Sequence, residues 1–150
     1  MTPTINSIIR KRLETIEAIA SVQQAAKRMK EKNVSSLVVV DENGKPLGLV
    51  SERDIVRRVC TTEVYERINT VKIKEIMSSP LITISSRSSP SMAADMMLQH
   101  NVRHLLVVDN DNVDKPIGMI TPLDFTRHDY VTDENKESIE KMLENYISDA

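Results

Sequence analysis

The sequence repeats itself, and the repeat limits what the chain can fold into more than any single motif does. Shifting it by 68 positions lays residues 15–41 on residues 83–109 with 12 identities in 27 positions, where chance at ordinary composition gives roughly two. The identical pairs include Ser21/Ser89, Ala25/Ala93, Met29/Met97, Asn33/Asn101, Leu37/Leu105 and Asp41/Asp109. Two extra residues near Asn112 and Val113 then move the offset to 70, which aligns Lys45-Pro46 with Lys115-Pro116, Gly48 with Gly118 and Asp54 with Asp124. The fold is therefore built from one unit used twice.

Each copy reads as strand, helix, strand, strand, helix. Ser21 and Ser89 are N-caps, and Ser21 has Gln24 three residues on, as a capping box requires. The helix that follows carries Val22, Ala25, Ala26 and Met29 on one stripe and should end near Asn33, or Asn101 in the second copy. Residues 37–40 and 105–108 are short apolar runs, expected as buried strands. Asn43-Gly44 marks a hairpin turn. The returning strands, 47–50 and 117–120, run into short helices that begin at Ser51 and Thr121. Residues 61–74 are mostly polar, and Ile139, Met142, Leu143, Tyr146 and Ile147 predict an amphipathic helix outside the repeat. The expected class is α+β. The two β-α-β-β-α copies should pack sheet to sheet about a pseudo-twofold axis, because one copy cannot bury both faces of its sheet alone.

Composition removes several functions. Twenty basic side chains stand against 22 acidic ones, so no global field is available to hold nucleic acid. Aromatic residues make up 3 % of the chain, with no Trp and one Phe, too few for base-stacking platforms. No apolar run approaches the length of a membrane span, and residues 1–12 lack a signal-peptide core. Cys60 is the single cysteine, which excludes an internal disulfide and fits a reducing, cytoplasmic setting. His100, His104 and His128 lie at no familiar metal spacing, and no nucleophile–base pair or Gly-rich phosphate loop is visible. No catalytic residue, metal or catalytic cofactor is expected. Met92, Met96, Met97 and Met119 are expected in the core.

These residues resemble the CBS domain family, named after its occurrence in cystathionine β-synthase. The resemblance spans residues 6–58 and 75–128, with a linker at 59–74 and the extra helix at 133–148. Its most specific element occurs twice, as Gly48-Leu49-Val50-Ser51-Glu52-Arg53-Asp54 and as Gly118-Met119-Ile120-Thr121-Pro122-Leu123-Asp124. Residues 34–41 and 102–109 match a second family motif. Glu75-Ile76-Met77-Ser78-Ser79-Pro80 is similar to the usual entry into a repeat, and Ser7-Ile8-Ile9-Arg10-Lys11-Arg12 is a poorer copy of it.

The chemistry of these residues suits a nucleotide. Ser51 and Thr121 open helices, where unpaired N–H groups and the helix dipole favour an anion. Asp54 and Asp124, three residues on, offer two acceptor oxygens apiece to a ribose diol. The same Ser/Thr-x-x-Asp pattern is also an ordinary helix-capping arrangement, and the sequence leaves both readings open. The resemblance implies pockets to which both repeats contribute. The preferred one holds Thr121 and Asp124, with Arg103 and His104 near phosphate and with Val34, Ser35, Ser36 and Leu13 on the base side. The other holds Ser51, Asp54 and Arg53, with Ser78, Pro80, Leu81 and Val102 on the base side. Arg103 and His104 also suit a solvated loop. Arg57, Arg58, Arg127 and His128 are expected to form a solvated helix face.

The function this implies is a non-catalytic sensor module for AMP, ADP or ATP, with S-adenosylmethionine as another adenosyl candidate. The alternative is an interaction module with vestigial pockets. The resemblance further implies a homodimer, to which short helices at 55–59 and around Phe125 would contribute, and leaves room for a protein partner. The extra C-terminal helix is left to cover the core, dimerise or dock a partner.

Overall fold

The computed structural model describes residues 4–9, 11–79, 81–109, 112–126 and 136–148. The chain divides into two compact units, one made of Leu13–Leu81 and the other of Met1–Arg12 together with Ile82–Ala150. In the first unit β1 (Thr15–Glu17), α1 (Val22–Lys32), β2 (Ser36–Val40) and β3 (Pro46–Ser51) form a three-stranded sheet of order β1-β2-β3 with one helical crossover. In the second, β4 (Thr83–Ser85), α3 (Pro90–His100), β5 (Leu105–Val108) and β6 (Pro116–Ile120) repeat it as β4-β5-β6. Each sheet has a parallel pair joined through its helix, then an antiparallel hairpin, with register shifts at matching places, Val39/Val40 and Val107/Val108.

Local chemistry explains the repeat helices. The Ser21 hydroxyl accepts from Gln24 N–H at 3.1 Å while the Gln24 side chain accepts from Ser21 N–H at 2.8 Å. The Ser89 hydroxyl accepts from Met92 N–H at 3.2 Å, and Pro90 takes the first helical position, where no N–H is needed. Asn33 (φ 54°) and Asn101 (φ 52°) end the helices in the left-handed conformation that Asn tolerates. Residues 37–40 and 105–108 are buried throughout, as their apolar runs predict. Gly44 makes its turn at φ +80°, and Asp41 Oδ1 accepts from Asn43 and Lys45 N–H at 2.9 Å each.

After Ser51 the chain makes one α-turn, α2 (Glu52–Asp54), which widens into a π-helical segment, Ile55–Cys60. Its counterpart after Thr121 is a tight 3₁₀ turn, Pro122–Thr126. Neither is the regular short helix the sequence predicts. Phe125 was a candidate surface residue; it is buried in the core with Leu105 and Ile120. Met92 is 52 % exposed and not a core filler, because it lies off the buried stripe of Pro90, Ala93, Ala94 and Met97.

The polar stretch after the π-segment stays with the first unit. Val71 C=O accepts from Val22 N–H, Ile73 N–H donates to Ala20 C=O, and Val71, Ile73 and Ile76 are buried beside α1. In the second unit the same work is done by the start of the chain, where Ile5 N–H donates to Ser88 C=O at 2.9 Å and Ile5, Ile8 and Ile9 are buried. Ile5 and Ile73 sit in equivalent 3₁₀ turns, Ile5–Ser7 and Ile73–Glu75. The segment that leads into each repeat therefore packs in the unit of the other repeat.

The last helix, α4 (Lys136–Ser148), lies against α3 and the 3₁₀ turn of the second unit. Ile139 and Met142 are buried, which makes it a core cover. Residues 133–135 of the expected helix fall outside the described residues. The cover accounts for a difference between the repeats: Ala94 is buried, whereas its equivalent Ala26 is exposed although the stripe pattern placed it inside. Where α3 carries Met96 and Leu98, α1 carries Arg28 and Lys30, side chains fit for water.

Candidate ligand-binding junctions

Both signature motifs sit where the second strand of a hairpin, β3 or β6, turns into a helical segment. In the first unit Gly48 lets the chain approach closely. A Cβ there would stand 2.6 Å from Ser78 C=O and 2.8 Å from Met77 Sδ. Because nothing projects from Gly48, Ser78 bridges to Leu49, with Leu49 N–H to Ser78 C=O at 3.0 Å and Ser78 N–H to Leu49 C=O at 2.8 Å. This seats the Ser78 side chain beside the β3–α2 junction.

At that junction Asp54 Oδ2 accepts from Ser51 N–H at 2.9 Å and from its hydroxyl at 3.1 Å, while Asp54 N–H reaches Ser51 Oγ at 3.2 Å. The other oxygen, Oδ1, has longer contacts: the Ser78 hydroxyl at 3.3 Å and Arg58 Nε at 3.7 Å. The two oxygens have separate tasks, one holding the turn and one meeting Ser78 and Arg58. The Asp54 side chain is 13 % exposed. Arg58 is exposed, as a solvated helix face requires, and its guanidinium also donates to Ile76 C=O at 3.0 Å and Met77 C=O at 3.1 Å. Those carbonyls end a 3₁₀ turn and need donors, which a planar group with five N–H bonds supplies. The only clue to this in the sequence is its i+4 spacing from Asp54.

The second junction keeps the frame and changes its surroundings. Asp124 Oδ2 accepts from Thr121 N–H at 2.8 Å and from Thr121 Oγ1 at 3.3 Å. Asp124 is fully buried, at 0 % exposure. Solvent access thus runs opposite to the sequence preference for this junction. In the first unit Glu52 N–H donates to Ser35 C=O at 2.9 Å; the equivalent Pro122 has no N–H, so that tie is not made to Arg103. Arg103 instead lies over the Tyr146 ring, 4.7 Å from its centroid, and its Nη2 donates to Tyr146 C=O at 3.4 Å. Nothing in the sequence paired these two residues.

The remaining candidates divide between the units. His104 is half-buried and directly precedes β5, whose Leu105 pairs with Ile120 just before Thr121. Val102 N–H caps α3 through Met97 C=O at 3.0 Å, as Val34 N–H does at Met29 C=O in the first unit. Ser36 pairs with Ser51 across the hairpin, Ser35 is exposed, and Leu13, Arg53 and Leu81 are half-buried. Pro80, Arg127 and His128 lie outside the described residues. The structure therefore brings Ser51, Asp54 and Ser78 together in the first unit. In the second it lines one shallow cavity with Arg103 and Pro122, beside Thr121. Leu13, Val34, Ser35 and Ser36 belong to the first unit, and Val102 to the second.

The CBS domain family model matches residues 5–60 and again residues 73–130. The chain belongs to the CBS domain family. An uncharacterised protein of Methanopyrus kandleri is 27 % identical over 142 residues, which cover 94 % of this CBS protein and 70 % of the relative. A conserved CBS domain protein of unknown function from Thermoplasma acidophilum superposes with a TM-score of 0.81 at 25 % identity, covering 99 % of this chain and 78 % of the other. A CBS domain pair solved in complex with 5-methylthioadenosine and S-adenosyl-L-methionine superposes with a TM-score of 0.73 at 26 % identity, covering 85 % and 95 %. Among the described residues of this CBS pair no helix is long and apolar enough to cross a membrane, and no cluster of His, Cys, Asp and Glu could hold a metal ion.

Proposed function

We propose that this CBS pair is a regulatory, non-catalytic module that takes up an adenosine-containing ligand, AMP, ADP or ATP, at its two strand-to-helix junctions. One observation carries the reading: Asp54 uses Oδ2 for its own turn and leaves Oδ1 with contacts of 3.3 and 3.7 Å. Contacts that long are weak, so a ribose hydroxyl approaching to about 2.7 Å would replace them at a gain. The related CBS pair in complex with two adenosyl compounds supports the same ligand class. In this reading Ser51, Asp54, Arg53 and Ser78 bind sugar and phosphate at one junction. Thr121, Asp124, Arg103 and His104 do so at the other. A homodimer and a regulated protein partner belong to the same reading.

Calorimetric titration with AMP, ADP, ATP and S-adenosylmethionine tests it. Saturable binding that weakens in Asp54→Ala or Asp124→Ala is the expected result, and flat isotherms at millimolar ligand with folded protein would end the reading.

A second reading, an interaction module with vestigial sites, draws on the full burial of Asp124 and on both carboxylates folding back onto their own turns. It expects partner binding to survive the double substitution Asp54→Ala, Asp124→Ala.

A further inference from the structure

We propose that α4 is a latch on the second junction: its Tyr146 end holds the Arg103 guanidinium, so an anionic ligand at Thr121 must draw Arg103 away from the helix to bind. This rests on the adenine-nucleotide reading and adds its regulation.

Three features of the Tyr146 turn attract the same cation. The ring face lies 4.7 Å from the guanidinium carbon, the Tyr146 carbonyl accepts from Nη2 at 3.4 Å, and that carbonyl is in the last turn of α4, Lys136–Ser148, at the negative end of the helix dipole. The helix is held there by Ile139 and Met142, which are buried against α3. Arg103 and Tyr146 line a shallow notch together with Pro122, the residue after Thr121. The guanidinium is therefore held beside the second junction, and its contact there is with α4.

The attachment suits a reversible contact. A 3.4 Å hydrogen bond is long, and a partly exposed cation–π contact is modest, whereas a phosphate offers Arg short, charge-assisted and often bidentate bonds. The contact taxes ligand affinity without abolishing it. The device belongs to one junction only, because the first repeat has Ser35 where the second has Arg103, and α1 carries Lys30 where α3 presents Leu98.

The test is titration of the full chain and of Tyr146→Leu, Tyr146→Phe and Arg103→Gln variants with AMP and ATP, with hydrogen exchange of α4 followed in parallel. Tyr146→Leu keeps apolar cover over α3, and thermal melts check that it folds. Tyr146→Leu is expected to bind about two- to thirtyfold tighter than the parent, the range a lost cation–π competitor allows. Tyr146→Phe should match the parent. The gain should vanish when Arg103→Gln is added, and ATP should speed exchange in the last turn of α4 in the parent. Parent binding with unchanged or weaker binding by Tyr146→Leu overturns the latch alone, because Tyr146 would then merely pack against Arg103 or position it. No nucleotide binding by the parent or by Tyr146→Leu removes the ligand reading and the latch together.

Discussion

The Ser78 hydroxyl donates to Asp54 Oδ1 across 3.3 Å, although the two residues are 24 positions apart. The bond ties the segment leading into the second repeat to the signature carboxylate of the first. Asp54 therefore reports on the placement of residues 76–78 as well as on any ligand. Ser78→Ala removes a long, part-buried bond, so stability should fall by less than about 1 kcal/mol. Nucleotide affinity at this junction should nevertheless change measurably, while binding that depends on Asp124 stays as it was. Calorimetry in an Asp124→Ala background isolates the effect.

Asp54→Ala and Asp124→Ala should differ in what they cost the fold. At Asp54 the lost cap is partly solvent-reachable, and a cost of about 1–2 kcal/mol follows. At Asp124 a fully buried acceptor disappears from Thr121 N–H and Oγ1, so the loss should sit at or above the upper end of that range. Urea denaturation of the two single variants measures the difference. Equal midpoints would show that the two turns are equally solvated.

Gly48→Ala places a methyl group 2.6 Å from Ser78 C=O, a backbone atom that cannot rotate away. The bridge between Leu49 and Ser78 should open, at about 1–3 kcal/mol. Hydrogen exchange at the Leu49 and Ser78 amides reads this directly, and unchanged protection at both would refute it.

Met142→Ala should destabilise the second unit by about 2–5 kcal/mol, since its side chain is buried in that core. Exchange protection in β4, β5 and β6 should drop while β1, β2 and β3 keep theirs. Uniform loss across both sheets would mean that the units unfold as one.

Much of this was legible because it is local. Ser21, Ser89, Asn33 and Asn101 announce where the helices begin and end through bonds within one turn, and apolar runs of four residues specify buried strands. The duplication then doubled every such signal. What was hidden depends on partners distant in sequence. Arg58 is exposed as its sequence suggests, but its bonds to the Ile76 and Met77 carbonyls were hidden, because those lie 18 and 19 residues away. The contact of Arg103 with Tyr146 was hidden in the same way, because Tyr146 is 43 residues on. Ala26 and Ala94 are identical letters with opposite exposure, since only the second lies on a helix that α4 covers. Met92 went astray more simply, as a core-type side chain standing off the buried face.

The crossed placement of the two entry segments has a consequence for dissection. A fragment ending near residue 70 would lack Ile73 and Ile76, and one beginning there would lack Ile5 and Ile8, all four of them buried. Cutting at the motif boundaries would thus leave each piece with a gap shaped for a strip of the other. Two such fragments, mixed, should rescue one another, as a covalently joined exchange would when its tether is severed.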